Sequence, residues 1–184
     1  MTDHEHFSSP FSWRYGSEAM RRLWGELHRR RLMRQVWLAL AEAQLEAGLV
    51  TDAQVEDLRR TVDDVDMALA SEIERETRHD VMAEIRAWAR QAPIGGGALH
   101  LGATSADITD NVDAIRVRDS LQLVCGSLGR AILALADRVD EHADLVTLGW
   151  THLQPAAPTT VGYRLAGALQ DLTMDLEQLD GVAA

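Results

Sequence analysis

The chain has 184 residues, 46% of them hydrophobic and 26% charged, which is a globular profile with enough apolar mass to bury a core. Its net charge of −11 speaks against nucleic acid as the main partner. A single cysteine, Cys125, excludes an intrachain disulfide framework and fits a reducing, cytoplasmic setting. All 18 basic residues are Arg, a bias we assign to genome composition. No uninterrupted apolar run approaches the ~20 residues of a membrane span, and the polar N-terminus lacks a signal-peptide core, so no membrane partner is expected.

Residues 1–12 lack periodicity and read as a loose tail; His4 and His6 within it are metal-ligand types, but the tail is the simpler reading. From Ser17 to about Ala47 the pattern predicts one long helix, with Leu23, Leu27, Leu38, Ala41 and Leu45 at helical spacing and Gly48 as its stop. Thr51-Asp52-Ala53-Gln54 is a capping-box pattern that starts the next helix. Further helices are expected over about Asp66–Glu76 and Asp80–Arg90, followed by a break at Pro93 and Gly95-Gly96-Gly97. The longest periodic block opens near Asp107, where Val112, Ile115, Leu121, Cys125, Leu128, Ile132, Leu135 and Val139 trace one apolar stripe. A helix of that length needs packing partners, which places it in a bundle. Leu148-Gly149 breaks it. A last helix begins near Pro158 and ends at Gly181, with Leu165, Leu169, Leu172 and Leu176 on one face. No strand pattern is read. The fold class is all-α, with a small helical domain over residues 1–104 and the start of a long-helix bundle over 105–184.

Several strings carry chemistry. Arg78-His79-Asp80 combines a planar cation suited to carboxylate or phosphate with a His whose tautomer and charge a neighbouring Asp can set. Between the glycine break and the long helix, Gly102, Thr104 and Ser105 place hydroxyls and backbone N–H groups at a helix N-terminus, a ready anion site. Thr151-His152 with Gln154 sits in a loop where a His can act as general acid or base. Arg14-Tyr15 can hold a phosphate. Taken singly, each string also reads as ordinary structure: a solvated helix start, an N-cap, a turn histidine, a surface pair. Asp107, Asp110 and Asp113 do not share one helix face, so no metal site is assigned there. Arg29-Arg30-Arg31 reads as a solvated helix face.

Taken in order, these strings resemble the fumarase/aspartase superfamily and, within it, the adenylosuccinate lyase family. Ser12-Trp13-Arg14-Tyr15-Gly16-Ser17 resembles that family's N-terminal substrate-binding element, and Thr77-Arg78-His79-Asp80-Val81-Met82-Ala83 its Arg-His-Asp motif. His100 to Ser105, with Asp110-Asn111, resembles the first superfamily region. Gly149-Trp150-Thr151-His152-Leu153-Gln154-Pro155-Ala156, with Thr159-Thr160-Val161-Gly162, resembles the second. The resemblance implies a fumarase/aspartase-type helical bundle. The reaction it implies is a β-elimination that cleaves a C–N bond and releases fumarate, from adenylosuccinate and from the succinyl-carboxamide ribotide of purine synthesis. By the same resemblance His152 is the general acid, and His79 is an accessory proton or charge partner. Arg14 and Tyr15 bind the nucleotide phosphate, and Arg78 and Asp80 position the substrate. Thr104, Ser105 and Thr151 contact the succinyl carboxylates, with Gln154 beside them. No cofactor is implied, since the substrate's own carboxylate stabilises the carbanion. The family forms homotetramers, with active sites built from several subunits. Two departures stand out. Nothing matches the family's Ser-Ser-x-x-Met-Pro-x-Lys-x-Asn loop, which supplies the base, so the chain reads as an N-terminal fragment without activity of its own. Ala157 stands where the family often carries Gln or Glu. The competing expectations are a superfamily lyase with a different amino-succinate substrate and a non-catalytic helical assembly module.

Overall fold

A computed structural model describes residues 9–183, with side chains to residue 182, so His4 and His6 lie outside the described residues. The elements run in the order α1 (Glu18–Leu23), α2 (Glu26–Glu46), α3 (Asp52–Thr61), α4 (Met67–Thr77), α5 (Asp80–Gln91), α6 (Ser105–Glu141), β1 (Val146–Thr151), β2 (Gln154–Thr160) and α7 (Val161–Ala183). A π-helical turn, Phe11–Tyr15, precedes α1, and a 3₁₀ turn, Gly96–Ala98, follows α5. The class is all-α with one small hairpin. Contacts divide the chain into two compact units, up to Val117 and from Arg118.

In the first unit the expected single helix from Ser17 to Ala47 is two. Gly25 adopts an extended conformation (φ −72°, ψ 147°) and becomes the N-cap of α2, as befits the weakest helix former after Pro. Arg116 of α6 fixes that break, donating from Nε to the Leu23 carbonyl at 3.2 Å and lying 4.3 Å over the Trp24 ring. Gly48 (φ 71°) ends α2 as expected, and Thr51 and Gln54 form the expected reciprocal capping box. The core joins Met33, Trp37 and Ala41 of α2 to Val55 and Leu58 of α3, Trp88 of α5, and Ile108 and Val112 of α6. A smaller cluster of Ala70, Ile73, Ala83 and Ala87 zips α4 to α5; its small side chains let the two helices approach closely.

The glycine break is packed rather than loose. A Cβ on Gly95 would meet the Gln54 carbonyl oxygen at 2.5 Å and Leu58 Cγ at 2.6 Å. The buried Asp57 carboxylate accepts from the backbone N–H groups of Ile94 (2.8 Å) and Gly95 (3.0 Å) and from Arg60. The Gly95 N–H, then that of Ile94 and the Arg60 guanidinium, hold the Asp57 carboxyl below its ordinary range against the opposing effect of burial. Its folded pKa is thus below its unfolded one, so its stabilisation is complete above about pH 3.9 and is lost as pH falls through the folded value. Asp57→Asn is expected to lower Tm by several degrees at neutral pH. The gap from wild type should close in thermal melts at acid pH, and an unchanged neutral Tm would remove Asp57 from this role.

In the second unit the α6 stripe keeps its helical period. Leu121, Cys125, Leu128, Ile132, Leu135 and Val139 are all half-buried, as are Leu165, Leu169, Leu172 and Leu176 of α7. One stretch of 18 residues in α6 reaches a mean hydropathy of 1.2, long and apolar enough to cross a membrane by length and composition alone, a test that core helices of soluble proteins also pass. The expectation of no strand is overturned. α6 ends at Glu141 and the chain forms an antiparallel hairpin paired from Val146↔Thr160 to Thr151↔Gln154. The last helix accordingly starts at Val161 rather than near Pro158. Pro155 and Pro158 mask β2 in the sequence, yet a two-stranded ribbon has only edge strands, where a missing N–H is tolerated. Opposite Gly149 the ladder slips, and a Cβ there would meet the Ala157 carbonyl oxygen at 2.8 Å.

Candidate functional site

Two residues join α4 to α5, and both are in the Arg-His-Asp string. Arg78 caps α4 in the left-handed region (φ 54°), its N–H donating to the Glu74 carbonyl. That position is usually Gly. His79 is the N-cap of α5, its Nδ1 accepting from the Met82 backbone N–H at 3.3 Å. In the neutral ring this leaves the hydrogen on Nε2. Asp80 does not set that tautomer, contrary to expectation. It lies 3.8 Å from His79 Nδ1, and its carboxylate instead accepts from Arg29 Nη2 at 2.7 Å. Burial raises the Asp80 pKa, but Arg29 and the Val81 N–H outweigh it and keep the carboxyl below its ordinary range.

The Arg29-Arg30-Arg31 run is not the solvated face its polarity suggested. Only Arg31 is exposed. Arg30 is buried and donates to Glu26 (3.0 Å), Glu74 (2.8 Å) and Glu84 (3.0 Å). Arg34, fully buried, donates to Glu84 at 2.6 Å and to the Thr61 carbonyl at 3.0 Å. A ladder of guanidinium groups on α2 therefore grips acids of α4 and α5, the two helices that the Arg78-His79 corner joins. Its partners lie 44 to 54 residues apart in sequence, which is why the run alone did not disclose it.

His100 (φ 65°) accepts at Nδ1 from the Trp37 indole N–H at 3.1 Å and meets that ring edge-on, centroids 6.0 Å apart. Burial lowers the His100 pKa; Asp107 opposes this and the charge of His79 adds to it. His100 was not among the expected site residues; its left-handed turn beside Gly102 was the available signal. Gly102 (φ 71°) then turns the chain into α6. Thr104 N–H donates to the Asp107 carboxylate at 2.8 Å, so Asp107 is a capping group. Asp113 pairs with Arg116, and Asp110 accepts from the Thr109 hydroxyl. The exposed Thr104 and half-buried Ser105 stand at the N-terminus of α6. Arg14 and Tyr15 are exposed on the π-helical turn, with Arg14 stacked 4.7 Å over Trp13.

In the second unit, His152 (φ 48°) and Leu153 (φ 61°) are the two turn residues between the paired Thr151 and Gln154. Positive φ at both positions is the type I′ hairpin turn, normally Asn-Gly. Two non-glycine residues there, with Leu153 92% exposed, constitute local strain that presents an imidazole at a hairpin tip.

Comparison with known proteins gives a consistent result. The sequence pattern of the Lyase family matches residues 15–184. The adenylosuccinate lyase of Schistosoma mansoni is 40% identical over 181 residues, which is 98% of this chain and 38% of that protein. That of Saccharomyces cerevisiae is 40% identical over 184 residues, with the same coverage. That of Methanocaldococcus jannaschii is 36% identical over 173 residues. The chain thus spans about 38% of the length of these relatives. Among solved structures, the 3-carboxy-cis,cis-muconate lactonizing enzyme of Pseudomonas putida superposes with a TM-score of 0.82 at 29% identity, over 93% of this chain and 40% of that one. A fumarate lyase of a Mesorhizobium species gives 0.82 at 25% identity, over 89% and 39%. An all-α fold, an Arg-His-Asp corner between two helices, and matches over nearly its whole length lead to one assignment: the chain belongs to the Lyase family.

Proposed function

We propose that this chain carries the substrate-gripping and proton-donating part of a C–N lyase, one that releases fumarate by β-elimination from adenylosuccinate, giving AMP, and from the succinyl-carboxamide ribotide of purine synthesis. The observation that supports the reading is the match to the Lyase family over residues 15–184, together with the Arg78-His79-Asp80 corner between α4 and α5 and the His100–Ser105 turn into α6, in a protein of net charge −11. Such a concentration of donors is otherwise out of place in an acidic chain and suits a polyanionic substrate.

Removing a proton next to a carboxylate builds negative charge on that carboxylate, and fixed donors must stand where the charge develops. Thr104, Ser105 and Thr151 are assigned to the succinyl carboxylates, with Gln154 beside them. Arg14 and Tyr15 take the nucleotide phosphate; Arg78, His79 and Asp80 position the substrate, His79 also as accessory proton partner. His152 delivers the proton to the departing nitrogen. The reading includes a homotetramer, as the family resemblance implies, a cytoplasmic setting, which the single cysteine suits, and domains over residues 1–104 and 105–184.

Arg14→Ala in the enzyme carrying this chain is expected to raise KM for a phosphorylated substrate about ten- to a hundredfold, the worth of a charged hydrogen bond, with kcat little changed. An unchanged KM would favour the second reading, a lyase of the same superfamily with a different amino-succinate substrate, to which Ala157 points.

A further inference from the structure

We propose that Trp37 is a positioning residue whose indole N–H fixes the His100 ring as the tautomer that carries its hydrogen on Nε2. Trp37 is 1% exposed, in the middle of α2, and its ring is held between Trp88 (centroids 6.4 Å apart) and His100. An indole nitrogen only donates, so a 3.1 Å contact with Nδ1 requires that nitrogen to be the acceptor. The ring hydrogen must then be on Nε2. Burial, which disfavours the charged ring, acts in the same direction.

The same arrangement occurs at His79, where a backbone N–H occupies Nδ1. Two histidines from separate strings are thus tied at the same nitrogen by different donors. In each neutral ring the hydrogen is then on Nε2, and neither can accept a proton there. Trp37 therefore decides the chemistry of His100 without touching substrate: the ring is a donor and not a base. That consequence for catalysis rests on the lyase reading; the tautomer does not. The groups that act on His100 electrostatically are Asp107 and His79.

The test is nitrogen-detected NMR on the 15N-labelled chain above neutral pH. His100 Nδ1 should show the shift of an unprotonated ring nitrogen and Nε2 that of a protonated one, with a scalar coupling between Trp37 Nε1 and His100 Nδ1 across the hydrogen bond. Trp37→Phe keeps an aromatic ring but loses the donor. It should average the two tautomers and raise the His100 pKa toward the ordinary value of about 6.5. A protonated Nδ1 in the wild-type chain overturns the proposal, as does an unmoved tautomer in a folded Trp37→Phe variant. If that variant does not fold, the wild-type coupling decides. An inactive enzyme with the tautomer locked as described would sink the lyase reading and leave this one standing.

Discussion

Glu84→Ala is expected to lower the free energy of unfolding by about 3–5 kcal/mol, the cost of leaving buried charge without its partner. Glu84 is fully buried on α5 and accepts from two guanidinium groups, Arg34 at 2.6 Å and Arg30 at 3.0 Å, whose side chains are 0% and 4% exposed. Arg34 already has one nitrogen, Nη2, without a hydrogen-bond partner among the described residues. Beside Glu84 it has the Thr61 carbonyl, 3.0 Å from Nη1, and the Trp88 ring, 5.1 Å from its guanidinium carbon. Remove the carboxylate, and buried Arg34 loses its acid partner while Arg30 keeps Glu26 and Glu74. Against total stabilities of about 5–15 kcal/mol typical of a domain, that loss is a large fraction, and the urea midpoint followed by far-UV CD should fall accordingly. Replacing Glu84, Arg30 and Arg34 together by methionine removes the three buried charges at once, leaves the half-exposed Glu26 and Glu74 to solvent, and should be far milder, since apolar substitution of buried ion groups is often neutral. A loss below about 1 kcal/mol for Glu84→Ala, the scale of a surface ion pair, would show that the ladder is not a buried network.

His152→Gln should lower kcat of the enzyme carrying this chain by about 10²–10⁴, with a much smaller change in KM. Imidazole is the side chain that can hand over a proton near neutral pH, and Gln offers a similar reach without a titratable group. The hairpin survives the exchange, because its geometry is set by strand pairing and the α7 start rather than by the ring. Gly162 is wedged there: a Cβ would lie 2.6 Å from the Val139 carbonyl oxygen and 2.7 Å from Ala143 Cα. Steady-state fumarate release, with circular dichroism to confirm the fold, separates the outcomes. A kcat within a factor of a few of wild type would take the proton-donor role away from His152 and favour the assembly-module reading.

Much of this was legible in one sequence, for local reasons. Thr51 and Gln54 announce a capping box because both partners lie within one turn, and Gly48 announces a helix stop because αL is cheap only for Gly. The α6 and α7 stripes show because burial on one face imposes a period. What escaped is non-local or masked. Arg29-Arg30-Arg31 read as a solvated face until α4 and α5 bring Glu74, Asp80 and Glu84 to Arg29 and Arg30. Gly25 sits inside an otherwise helical pattern, and only the docking of Arg116 onto Leu23 and Trp24 explains why the helix stops there. Pro155 and Pro158 hid a strand. His100 looked subordinate to Thr104 and Ser105 because its partner, Trp37, is 63 residues away.

The hairpin also has a consequence for the order in which the chain folds. Hairpins with Asn-Gly tips can close from the turn outward, because the turn is favourable by itself. His152-Leu153 is not: each L-residue in the left-handed region is disfavoured, by about 1–2 kcal/mol. Strand pairing must then start at the open end, where α6 and α7 hold the base together through Val161 N–H to the Leu145 carbonyl (2.9 Å) and Gly162 N–H to the His142 carbonyl (2.8 Å). The ribbon is expected to zip from base to tip, so the imidazole at its end is among the last groups in the second unit to find its place and among the first to lose it.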